Sequence, residues 1–282
     1  MTIMKQLFDQ LSQRCSQSVT RHYSTSFFHA VSLLSPSIRA HIHNIYGFVR
    51  FADEVVDSFH EYDKEALLND FEREYYKALD RGISLNPILN SFQSTVKQFN
   101  IDDELVQAFL TSMKMDLNKN QYQYQSEIDE YIYGSADVVG LMCLKVFVNG
   151  DQDRYESLKQ PAMKLGSAFQ KVNFLRDFKY DNDELARSYF PDVNLNNMSH
   201  EQKSVIIKDI EEDFEEALVG IKLLPREARF GVYVAYIYYK CLLEKIKQAS
   251  LHHLLNSRIR VSNTKKASLL LGSYVKYQFN MV

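Results

Sequence analysis

Glycine and proline are scarce in this sequence: nine and five residues in a chain of 282, about 5% where average usage gives about 12%. Hairpins and strand-to-helix crossovers draw on these residues for their turn geometry. A sandwich, a barrel or a doubly wound sheet is therefore excluded, and long helices joined by short polar connections are expected. The same scarcity removes any Gly-rich phosphate loop or dinucleotide fingerprint.

Helix punctuation runs along the whole chain. Ser35-Pro36 reads as N-cap and first turn of a helix passing Asp57. Asp63 caps the segment after it, which Gly82 ends. Asn86-Pro87 opens a further helix, Asp102 or Asp103 another, and Ser126 caps a short segment leading into 128–148. Pro161 is expected to start a helix through Asp181, Ser199 to cap the next, Pro225 to open one more, and Lys266–Phe279 to hold the last. That makes about nine or ten helices, with Asp181–Ser199 reading as loop. No repeat and no dividing linker appears, so one all-α domain over residues 1–282 is expected.

Composition closes off other classes. A net charge of −3 gives no basic field for nucleic acid. Cys15, Cys143 and Cys241 are odd in number and far apart, as for free thiols in a reducing compartment. The N-terminus has no apolar signal region, and the apolar run Val138–Val148 is interrupted by Lys145 and too short to span a bilayer. A cytoplasmic location is expected. Eighteen Tyr and eighteen Phe suit either a large interior or a lined cavity.

Two stretches carry chemistry. In YGFVRFADEVVD, Tyr46, Arg50, Asp53 and Asp57 fall at i, i+4, i+7 and i+11, one stripe on an otherwise apolar helix. Such a stripe must line something wet inside the fold or be paired there. In FQKVNFLRDFKYD, Gln170, Asn173, Asp177 and Asp181 form a second stripe at i, i+3, i+7 and i+11, flanked by Arg176. Four converging carboxylates repel unless compensated. Divalent cations are the natural compensation, Mg²⁺ or Mn²⁺ in its place, on Asp53, Asp57, Asp177, Asp181 and the neutral oxygen of Asn173. A further pair at this spacing, Asp209 and Asp213, stands among other acids and reads as a solvated helix face.

The two stripes, in this order, resemble the aspartate motifs of the squalene/phytoene synthase family, the head-to-head prenyl synthases. Further segments carry the resemblance over most of the chain. Tyr23-Ser24-Thr25-Ser26-Phe27 is similar to the family's HSKSF-type segment, and Tyr131–Ala136 with Val139–Met142 to its central helix. Arg187–Pro191 is similar to its RxYxP segment, and Tyr239 and Arg258 to its C-terminal tyrosine and diphosphate-closing arginine. Two departures stand out: Thr25 where the family has a basic residue, and Asp137 where it usually has Gly.

The resemblance implies the isoprenoid synthase fold, helices around a central cavity, and prenyl diphosphate substrates. It implies Ser24, Ser26, Phe27, Tyr46, Arg50, Gln170, Asn173, Arg176, Tyr239 and Arg258 as substrate-binding residues, with Tyr46, Arg50 and the four aspartates as catalytic ones. Closeness to bacterial phytoene synthases, and a medium-sized Val31 one turn after Phe27, favour two geranylgeranyl diphosphates as substrate and phytoene as product, with no NADPH. The competing enzyme reading is a squalene or dehydrosqualene synthase using farnesyl diphosphate. The competing reading from another class is a non-catalytic helical scaffold. The basic amphipathic C-terminal segment, residues 254–279, admits peripheral contact with the inner face of a membrane.

Overall fold

The computed structural model describes residues 3–118, 122, 124–183 and 198–279, with the side chains of 178–183 and 255 outside the description. Among the described residues there are helices and no strand. In chain order they are α1 (Ile3–Tyr23), α2 (Thr25–Ser32), α3 (Pro36–Ser58), α4 (Lys64–Arg81), α5 (Pro87–Phe99), α6 (Asp103–Asn118) and α7 (Gln125–Ile132). A π-helical segment (Tyr133–Asp137) leads into α8 (Val138–Phe147), followed by α9 (Gln152–Asp183), α10 (His200–Leu223), α11 (Arg226–Gln248), α12 (Leu251–Asn256) and α13 (Asn263–Gln278). The count exceeds the expected nine or ten because α2, α7 and α12 are short.

Local chemistry sets many of the ends. The Asp63 carboxylate accepts the Ala66 N–H at 2.9 Å, and Gly82 closes α4 at φ 70°. Asn86 Oδ1 accepts the N–H groups of Ile88 and Leu89 at 3.0 and 3.4 Å. Ser199 and Gln202 form a reciprocal capping box at the start of α10. Each such cap is worth about 1 kcal/mol.

Two expected starts are corrected. Ser126 lies inside α7, whose N-cap is Tyr124, with the Glu127 carboxylate accepting the Tyr124 N–H at 3.2 Å. Pro161 does not start a helix; it lies inside α9. The start belongs to Asp151, whose Oδ1 accepts the Arg154 N–H at 3.1 Å. Proline in a helix interior loses one backbone bond and crowds the preceding turn. Here its ring is accommodated by Gly220 on α10, where an added Cβ would stand 2.4 Å from the Pro161 Cβ.

Two apolar cores form around these helices. One gathers α3–α6, α8 and the start of α9 about Phe48, which stacks on Phe92 at 4.0 Å and packs with Phe71, Tyr75 and Phe109. The other joins α9, α10, α11 and α12 through Val172, Leu175, Phe214, Leu243 and Ile246. Asp213 ties α10 to α9 and corrects the reading of a solvated face. It is 1% exposed and pairs with Lys164 and Lys171, each at 2.7 Å, while exposed Asp209 pairs with Lys171 at 2.6 Å. The compensating lysines come from α9, 49 and 42 residues away in sequence, so the run of acids gave no sign of them.

Candidate active site

A cavity of about 930 Å³ is lined by residues of both cores, at the upper end of the range for small-molecule sites. α3 contributes Ile42, Tyr46, Val49, Arg50, Asp53 and Asp57. α9 contributes Leu158, Ala162, Leu165, Phe169, Gln170, Asn173, Arg176 and Asp177. Both helices run from apolar to polar toward their C-terminal ends. At 1.5 Å per residue the lining spans roughly 20–30 Å of helix, apolar at one end and charged at the other.

The charged end is built from paired opposites. Arg50 bonds Asp53 and Glu54, and its guanidinium lies 4.4 Å from the centre of the Tyr23 ring. Arg176 Nε bonds both Asp177 oxygens at 3.1 Å, and Arg258 Nε reaches Asp177 Oδ1 at 2.7 Å from the segment after α12. Burial pushes the Asp53 carboxyl up to about 7; Asp57, Asp116 and Glu54 add to this and Arg50 opposes it. Burial likewise raises the Tyr46 phenol to about 12, with Arg50 and the Ser24 hydroxyl pulling it down.

Two aromatic pairs line the same cavity. Phe27 on α2 stacks on Tyr46 at 5.0 Å, and Phe169 on Tyr239 at 3.9 Å. The Tyr239 hydroxyl donates to Asn173 Oδ1 at 3.3 Å, which ties α11 to the second stripe. Deeper, Val31, Leu34, Cys143, Leu144, Ile221 and Val232 give an apolar lining.

Of the residues singled out in the sequence, Ser24, Phe27, Tyr46, Arg50, Asp53, Asp57, Gln170, Asn173, Arg176, Asp177, Tyr239 and Arg258 line this one cavity. Ser26 does not; its hydroxyl accepts a 2.6 Å bond from Lys266 of α13. That contact places a cation on the residue that follows Thr25, the position where the resemblance expects a basic residue. Asp181 lies on α9 with its side chain outside the description, and Arg187–Pro191 fall outside the described residues.

Two residues escaped the sequence reading. The Tyr131 hydroxyl donates to Asp116 Oδ2 at 2.8 Å, and both side chains are buried in the cavity lining. Asp116 lies in MKMDLNKN, a stretch with no second Asp or Glu to form a carboxylate stripe. Tyr131 stands within the central-helix motif, whose resemblance gives it no role of its own. The π-helical turn after it seats Gly134 against α6, where a Cβ would stand 1.9 Å from Ser112 Oγ and 2.8 Å from the Ala108 carbonyl oxygen.

The donor set fits a hard divalent cation. Asp53, Asp57 and Asp177 offer carboxylates and Asn173 an amide oxygen to the one cavity. Among the described residues no three acidic, His or Cys side chains converge into a closed metal cage. Mg²⁺ needs no such cage, because it shares its shell between one or two carboxylates, waters and substrate phosphates.

Comparison with known proteins gives concordant likenesses. The family model for squalene/phytoene synthase matches residues 20–265. A chloroplastic phytoene synthase 1 of Solanum lycopersicum is 28% identical over 96% of this chain and 69% of its own length. A 15-cis-phytoene synthase of Synechocystis is 27% identical over 94% of this chain and 84% of its own. Among solved structures, a dehydrosqualene synthase in complex with ligand superimposes with a TM-score of 0.81 at 22% identity, covering 96% of this chain and 98% of that one. A squalene synthase from Alicyclobacillus acidocaldarius gives 0.73 at 21%, covering 85% and 94%.

Proposed function

The chain belongs to the squalene/phytoene synthase family, a family of head-to-head prenyltransferases with the isoprenoid synthase fold, and from that premise we propose that it joins two geranylgeranyl diphosphates to phytoene. One observation carries the reading: Asp53 and Asp57 of α3 and Asp177 of α9 line the same cavity, together with Arg50, Arg176 and Arg258 and a set of apolar side chains. The relatives named phytoene synthase, and Val31 at 2% exposure in the cavity wall, support the longer substrate.

The balance of the reaction sets what the residues must do. Two C20 diphosphates become one C40 hydrocarbon with loss of two diphosphates and two protons, so no reductant is needed. Asp53, Asp57, Asn173 and Asp177, with Asp181 on the same helix, would hold Mg²⁺, which when bound supplies charge neutralisation to the leaving diphosphate. Arg50, Arg176 and Arg258 exchange their carboxylate partners for diphosphate oxygens and add fixed positive charge at the same end. The Phe27–Tyr46 and Phe169–Tyr239 pairs present π faces to the allylic cation and to the cyclopropylcarbinyl intermediate formed from it. The apolar walls keep water from capturing either cation.

Asp53→Asn and Asp177→Asn, each tested alone, are expected to lower Mg²⁺-dependent diphosphate release from geranylgeranyl diphosphate about 100-fold or more, with helical content unchanged. Full release by both variants would contradict the assignment and favour the non-catalytic reading.

A further inference from the structure

α13 has two unlike sides. One packs on α11, burying Ser273 and setting Tyr277 against Phe230 at 5.0 Å, with Tyr274 at the boundary of the two sides, 6.1 Å from Phe230. The other leaves Leu271, Tyr274, Val275 and, just past the helix, Phe279 exposed at 67, 50, 47 and 75%. At 100° per residue these four side chains fall within an arc of about 140°. Lys265 and Lys276, eleven positions apart, lie together along one edge of that arc.

Charge follows the same pattern. Residues 249–282 contain Arg258, Arg260, Lys265, Lys266 and Lys276 and no Asp or Glu, in a chain whose net charge is −3. This basic stretch borders the cavity. Arg258 lines it, Lys266 bonds Ser26 between the lining residues Ser24 and Phe27, and α11 beneath α13 supplies Gly231, Val232, Ala235 and Tyr239 to the wall.

We propose that this face of α13 docks on an anionic lipid surface, with the apolar row in the acyl boundary and the lysines at the headgroups. Exposed apolar side chains edged by lysine, without acids, match that surface in both polarity and sign. A second copy of the chain fits less well. A twofold contact would set the basic edges against each other, and four side chains supply far less than the about 800 Å² per partner of a stable interface. Crossing the bilayer is not required, and no helix among the described residues is long and apolar enough to do so. Docking brings the cavity's charged end to the boundary where long-chain diphosphates and a C40 hydrocarbon partition. That consequence rests on the proposed function; the docking itself does not.

Flotation of the full chain with phosphatidylcholine vesicles, with and without phosphatidylglycerol, tests it. Binding is expected only with the anionic lipid. It should fall about tenfold or more in Leu271→Glu/Phe279→Glu and in Lys265→Glu/Lys276→Glu, while both variants keep wild-type turnover of detergent-dispersed substrate. Absence of binding to anionic vesicles, or equal binding by the variants, would overturn the proposal. So would a dimer in light scattering that Leu271→Glu/Phe279→Glu breaks, which would give the face to a second copy. Vesicle binding without turnover of any prenyl diphosphate would leave the docking standing and remove the proposed reaction instead.

Discussion

Asp53 is held in an environment that disfavours its charge, and this gives the cavity a pH signature. Its carboxyl is pushed up to about 7, chiefly by burial and by Asp57. A divalent cation binds the ionised form, so protons compete with it below that value. Mg²⁺ is therefore expected to raise the thermal midpoint more at pH 8 than at pH 5.5, as measured by calorimetry. An equal shift at both values would remove Asp53 from the cation's ligands.

Asp137 is a second raised carboxyl, outside the cavity. Burial pushes it to about 7, although it accepts a 2.8 Å bond from the Ser167 hydroxyl. Its folded value lies above the unfolded one of about 4, so the folded chain holds the proton across that window. Stability is lost as pH rises from about 4 to about 7. Asp137→Asn removes that loss, so denaturation midpoints of variant and wild type should separate progressively toward pH 8 and converge near pH 4. The gap is bounded by about 1.4 kcal/mol per pH unit of the window.

At the scale of elements, α3 and α9 place the chemistry, and their neighbours hold them by close backbone approach. Gly134→Ala would put a Cβ 1.9 Å from Ser112 Oγ and 2.8 Å from a backbone oxygen of α6. Gly220→Ala would put one 2.4 Å from the Pro161 ring. Each is expected to destabilise by about 1–3 kcal/mol, read as a lower denaturation midpoint. Gly272→Ala, inside α13 with nothing within 4 Å, serves as the control, showing only the helix-propensity gain of about 1 kcal/mol.

The sequence made local features of these elements readable and distant ones not. Asp63, Gly82, Asn86 and Ser199 act on backbone groups within four residues, and their roles follow from spacing alone. Pro161 misled because its tolerance inside α9 depends on Gly220, 59 positions later. Asp213 misled because its lysine partners lie on another helix. The stripes of α3 and α9 were legible because helical spacing itself brings their members together. Asp116 was not, since only folding brings it beside Tyr131.

At the scale of the molecule, two cores border one elongated cavity whose charged and apolar ends divide the work. The Phe and Tyr load serves both places: Phe48, Phe71, Tyr75, Phe92 and Phe109 fill a core, while Phe27, Tyr46, Phe169 and Tyr239 line the cavity. Val31 is buried in the cavity wall. Val31→Phe is expected to lower kcat/KM for the C20 substrate about tenfold or more relative to the C15 one, in competition assays with both diphosphates. The central claim is tested most directly by identifying the hydrocarbon formed by the purified chain with Mg²⁺ and either geranylgeranyl or farnesyl diphosphate, with and without NADPH. Phytoene from geranylgeranyl diphosphate, formed without NADPH, is the predicted result. Consumption of farnesyl diphosphate alone, giving squalene or dehydrosqualene, would contradict it.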